Sequence, residues 1–129
     1  MKYVILTAYN IQETSGGGHG LRKVIKAIEL MDNNAQICVI QRSSAMNDEG
    51  VYWNFRSVTM QRNYPKSMLR SIISRIFLYP NFMNLYSKRI TLDILAFEPD
   101  FIFFIGTRLG KVFHEIANHY PKAIQKAYV

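Results

Sequence analysis

Residues 2–41 read KYVILTAYNIQETSGGGHGLRKVIKAIELMDNNAQICVIQ, and their pattern decides the fold. Lys2 to Tyr9 is a continuous apolar run rich in β-branched and aromatic residues, the pattern of a strand buried on both faces. A polar loop, Asn10 to Ser15, and then Gly16, Gly17, Gly18, His19 and Gly20 follow it. Leu21, Val24, Ile25, Ala27, Ile28, Leu30 and Met31 recur near i, i+3, i+4 and i+7, which predicts an amphipathic helix with Arg22, Lys23, Lys26 and Glu29 on its polar face. Asp32-Asn33-Asn34 is a turn, and Gln36 to Gln41 is a second apolar strand. The stretch is a βαβ unit, for which parallel pairing and a right-handed crossover are the default.

Beyond this unit, Ser43 to Gly50 (SSAMNDEG) reads as a loop, and Tyr52, Phe55, Val58 and Met60 mark one or two short strands. Helical spacing returns at Met68, Leu69, Ile72, Ile73, Ile76 and Phe77. It is broken at Pro80 and resumes as a second helix from Phe82 to Phe97, ending before Pro99. Phe101 to Ile105 (FIFFI) is a further buried strand. Gly106, Thr107 and Arg108 form a short loop, Leu109 to Tyr120 reads as a helix closed by Pro121, and Ala123 to Val129 as a last strand. Strands alternating with helices predict one Rossmann-like α/β domain over residues 1–129. Its mostly parallel, doubly wound sheet has the first strand at its centre and binds ligands at the carboxyl ends of the strands.

A chain of 129 residues that is 49% hydrophobic and 13% aromatic can bury a core without disulfides or metals, which excludes a disordered protein. Cys38, in the apolar run Ile37 to Ile40, reads as a buried, inert thiol, and the cytoplasm is the expected compartment. No signal peptide fits the start, and no stretch reaches the roughly 18 apolar residues that span a bilayer. Sixteen Lys and Arg against nine Asp and Glu leave a charge of +7. That charge invites nucleic acid. The cations are spread, however, and no helix-turn-helix, zinc-finger or RNA-recognition pattern accompanies them, so nucleic acid is not an expected partner.

The glycines at Gly16 to Gly18 leave backbone N–H groups unobstructed at the positive end of a helix dipole, where an anion such as phosphate is stabilised. The competing reading is a plain flexible turn. The spacing is not the dinucleotide fingerprint, because Leu21 stands where its third glycine belongs, and no Gly-Lys-Ser or Gly-Lys-Thr makes a P-loop. His114, Glu115 and His119 are one residue too long for H-E-x-x-H, which sets the two rings about 140° apart on a helix, so no metal site is expected. Ser15, Thr107 and Cys38 lack the histidine and acid that would make any of them a nucleophile, and no catalytic residue is assigned.

KYVILTAYN followed by IQETSGGGHGLRKVIKAIEL, and later FEPDFIFFIGTRLG, resembles the amino-terminal lobe of the retaining GT-B glycosyltransferases of family 4. In that family a glycine-containing loop after the first strand lies over the donor, and a Pro-Asp pair precedes the fourth strand. The resemblance implies transfer of a sugar from a nucleotide-sugar donor to a glycan or lipid-linked acceptor, with retained configuration and without a required metal or other cofactor. It implies that Gly16, Gly17, Gly18, His19 and Gly20 lie over the donor diphosphate and sugar, where they would stabilise charge on the leaving group. Asn10, Thr107 and Arg108 are the implied acceptor-side candidates. The family's second lobe, with its E-x7-E glutamate pair, is not among these residues. The implied activity therefore needs a carboxyl-terminal lobe or a partner subunit, and without it self-association through uncovered apolar surface is expected.

KSMLRSIISRIFLYPNFMNLYSKR, residues 66–89, is basic, aromatic and amphipathic. Lys66, Arg70, Arg75, Lys88 and Arg89 are candidate membrane-facing cations, the competing reading being a helix pair that covers the sheet. Two further readings of the whole chain stand beside the transferase. One is a stand-alone module for a nucleotide or phosphorylated ligand, with Arg42 placed to meet a 2′-phosphate. The other is a peripheral membrane or partner-interaction domain.

Overall fold

The protein is described from a computed structural model that covers residues 1–43, 52–106, 108–119 and 125–128. Its elements are β1 (Lys2–Thr7), α1 (Gly16–Met31), β2 (Gln36–Arg42), β3 (Val58–Tyr64), α2 (Met68–Ile76), a 3-10 turn (Phe82–Tyr86), α3 (Ser87–Phe97), β4 (Phe101–Ile105), α4 (Gly110–His119) and β5 (Gln125–Tyr128). The five strands form one sheet in the order β3-β2-β1-β4-β5, and every neighbouring pair is parallel. The fold is the expected Rossmann-like α/β sheet with β1 at its centre.

Strand alternation divides the core in two. Val4, Leu6, Cys38, Ile40, Ile102 and Phe104 point to one face, where Ile90 and Ile94 of α3 and Val112 and Ile116 of α4 cover them. Tyr3, Ile5, Ile37 and Val39 point to the other, under Leu21, Ile25 and Ile28 of α1. The chain runs β1-β2-β3 toward one edge and β4-β5 toward the other, and its helices change face where that direction reverses, as right-handed crossovers require.

Several elements differ from the sequence expectation, each for a local reason. α1 begins at Gly16, so the glycines form its first turn rather than a loop before it. Ser15 is the N-cap, its hydroxyl accepting from the Gly18 N–H at 3.3 Å. Arg22, expected on the polar face, is buried against the loop between β1 and α1. Phe82 to Phe97 is not one helix. Asn84, fully buried, donates to the carbonyls of Asn81 and Arg108 and accepts from the Lys111 N–H, which tightens Phe82–Tyr86 into a 3-10 turn tied to the start of α4. β3 starts at Val58, and Tyr52 and Phe55 precede it, Phe55 packing in the α1-side core. Glu98, at φ 54°, caps α3 before Pro99, and the Asp100 carboxylate accepts from the Lys2 N–H, joining β4 to β1 at their starts. The loop read over Ser43 to Gly50 lies outside the described residues from position 44 on. So do Thr107, Tyr120 and Pro121.

A candidate ligand crevice at the switch point of the sheet

Because β1 leads to α1 on one face and β4 leads to α4 on the other, their carboxyl ends, at Thr7 and Ile105, form the switch point of the sheet, the place where folds of this kind open a ligand crevice. Tyr9 sits at this switch point. The buried Thr7 hydroxyl accepts its N–H at 3.1 Å, and its ring lies against Gly17 on one side and Gly106 on the other. A Cβ on Gly17 would stand 2.3 Å from the ring, so only glycine lets α1 approach so closely. Gly106 has φ +89°, which glycine adopts without strain and which turns the chain out of β4. Gly18 is closer still to backbone, with its missing Cβ position 2.4 Å from the Glu13 carbonyl oxygen. Gly16 and Gly20 have open space where a Cβ would be.

Glu13, which the sequence reading passed over as part of a polar loop, organises the wall. Its Oε1 accepts from the Asn10 N–H at 2.9 Å and from the Arg42 guanidinium at 2.5 Å, and its Oε2 accepts from the Ser15 hydroxyl at 2.7 Å. Its backbone carbonyl, and that of Ile11, accept from Arg22, whose guanidinium lies 3.7 Å from the centre of the Trp53 ring. No single motif spells this arrangement, since Glu13, Arg22, Arg42 and Trp53 are scattered along the chain.

The expected site residues are therefore placed as follows. Gly17 meets the Tyr9 ring, which also reaches Gly106, Gly18 packs on Glu13, and Gly16 and Gly20 border open space, while His19 is exposed on the flank of α1, beside a cleft of about 280 Å³ lined with Arg22, Lys23, Lys26 and Trp53. Asn10 is buried and spends its side chain inside the loop, donating to the Arg42 carbonyl at 2.6 Å and accepting from the Gln12 N–H at 2.9 Å. Arg108 is exposed beyond Gly106, and its carbonyl is held by Asn84. Arg42, the candidate for a 2′-phosphate, is paired with Glu13.

A second depression, of about 420 Å³, lies at the end of β3 and is lined by Arg62, Tyr64, Arg70, Tyr86, Arg89 and Asp93 among others. The Tyr64 hydroxyl donates to the Asp93 carboxylate, and burial together with this bond pushes the phenol above its ordinary pKa. Arg70 lies over the Tyr86 ring at 5.1 Å. Of these residues the sequence reading singled out only Arg70 and Arg89. Among the described residues no three His, Cys, Asp or Glu gather as a metal site, and the His114 ring pairs with Asn118 at 3.1 Å.

No protein-family model matches the chain, and no curated protein does. Among solved structures it is similar to the C-terminal domain of a hydrogenase from Pyrococcus furiosus, with a TM-score of 0.60 and 15% identity over 98% of this chain and 88% of that one. At that identity the likeness speaks for architecture alone: this chain has a Rossmann-like α/β fold with an all-parallel sheet.

Proposed function

We propose that this domain is the acceptor-side lobe of a GT-B-type retaining glycosyltransferase. In this reading the amino terminus of α1 faces the diphosphate of a nucleotide-sugar donor across the crevice between β1 and β4. The observation that carries it is the side-chain-free first turn of α1 at the switch point of the sheet. The Gly16 and Gly17 N–H groups have no acceptor within the helix, and the helix dipole adds positive potential where a leaving diphosphate gathers charge. Arg108, exposed just past β4, is the side chain placed to meet an acceptor or the donor sugar. The nucleoside half of the donor belongs to a second lobe, so transfer is expected only when that lobe is joined to this one.

Titration of the ¹⁵N-labelled chain with pyrophosphate and with a nucleoside diphosphate tests the site. The amides of Gly16, Gly17 and Gly106 are expected to shift together at millimolar ligand. Gly16→Ala, whose Cβ meets open space, is expected to keep the fold and weaken the response. Shifts confined to other regions, or none at all, would sink the reading.

A further inference from the structure

α2 is built the wrong way round for a core helix. The residue it buries is Ser74, whose hydroxyl donates to the Ser71 carbonyl; Ile73 is half-buried, and its other large apolar side chains face solvent. Met68 is 82% exposed, Ile76 71% and Leu78, just past the helix, 89%, with Leu69, Ile72 and Phe77 exposed beside them. By contrast α1 turns Leu21, Ile25 and Ile28 into the core. At about 100° per residue the apolar positions of α2 and Phe77 occupy roughly half the helix circumference, with Arg75 bordering one edge and Arg70 the other. Contiguous apolar surface of this kind marks an interaction site.

The charge distribution says what lies opposite. Residues 52–92 carry seven cations and no carboxylate, while the rest of the chain, nine against nine, is neutral. The whole net charge of +7 thus belongs to the segment that holds α2. Beside α2, the depression at the end of β3 adds Arg62 and Arg89 to Arg70, with Asp93, its carboxylate, already bonded to Tyr64. A second copy of this chain docked face to face would set like charges together, and nucleic acid offers a base to stack on Phe77 but nothing to the five exposed aliphatic side chains. An anionic bilayer satisfies both features, acyl chains for the apolar arc and phosphates for the arginines. No helix among the described residues is long and apolar enough to cross a membrane, so the geometry is that of a helix lying in the interface.

We propose that α2 and the turn after it dock this domain on an anionic lipid bilayer, with lipid phosphates held by Arg70, Arg75 and the Arg62–Arg89 depression. The proposal stands on α2 and its surroundings and does not need the transferase reading.

Co-sedimentation of the full chain with vesicles of phosphatidylcholine and phosphatidylglycerol in equal parts tests it, with pure phosphatidylcholine as the control. Binding is expected to the anionic vesicles, to fall as salt is raised, and to drop about fivefold with each of Arg70→Gln and Arg75→Gln. Leu78→Gly separates docking from folding. Leu78 holds φ 58°, which glycine adopts more easily, so this variant should melt a few degrees higher and yet bind vesicles more weakly. Equal binding to both vesicle types, or binding unchanged in these variants, would overturn the proposal. So would binding of inorganic phosphate or of a homopolymeric RNA with none to vesicles, or a concentration-dependent dimer that protects α2 from exchange in their absence.

Discussion

Glu13 shows how much of the crevice rests on one carboxylate. Its side chain is 9% exposed and is met by Arg42, the Asn10 N–H and the Ser15 hydroxyl. Glu13→Ala leaves these groups without their acceptor, and a loss of about 2 kcal/mol is expected in urea unfolding, with Glu13→Gln milder. Gly18→Ala is expected to cost about 1–3 kcal/mol, because the new methyl meets the Glu13 carbonyl and backbone yields little. In the same urea unfolding Gly16→Ala should be neutral or slightly stabilising. Cys38 carries a pH signature. Burial pushes its thiol up from 9.0 to about 11, so the folded state keeps the proton while the unfolded chain loses it. Its contribution is whole below pH 9 and is lost as pH rises from 9 toward 11. Cys38→Ala should flatten that part of the stability profile, and native Cys38 should react with a disulfide reagent only when the domain opens.

At the scale of elements, α1 and α2 have the same composition pattern and opposite fates. Both are amphipathic and both are capped by a serine, Ser15 accepting from Gly18 and Ser67 from Arg70. α1 lies on the centre of the sheet, whereas α2 rests on the 3-10 turn near the end of β3, with its apolar side outward. Stability follows burial. Amide exchange in α2 is therefore expected to be the fastest of the four α-helices and that of α1 among the slowest, as read by hydrogen-exchange mass spectrometry on the free chain. Protection of α2 on adding anionic vesicles would be the element-level sign of docking. β3 is the least regular strand in sequence because it is an edge. Gln61, Arg62 and Asn63 are exposed and interrupt the apolar alternation, and the strand is held by its pairing with β2 and by the Gln41 side-chain amide bonded to Gln61 and Asn63.

Across the whole molecule, the two proposals rest on separate surfaces, the switch point at the ends of β1 and β4 and the basic apolar flank formed by α2. What the sequence by itself determined is the sheet. Tyr3 to Leu6, Ile37 to Ile40 and Phe101 to Ile105 are apolar without interruption because a parallel strand covered on both faces has no solvent side to record, and the intervening helical spacings fix the crossovers. The glycines were legible as a bare stretch of backbone at the mouth of the first helix, since no other residue lacks a side chain. Only the tertiary structure decided that they are the first turn of α1, wedged against Tyr9 and Glu13, that Arg22 is buried, and that α2 faces outward. Periodicity states which residues share a face of a helix. What covers that face depends on elements far away in the chain, and for α2 nothing within the described part of the chain does.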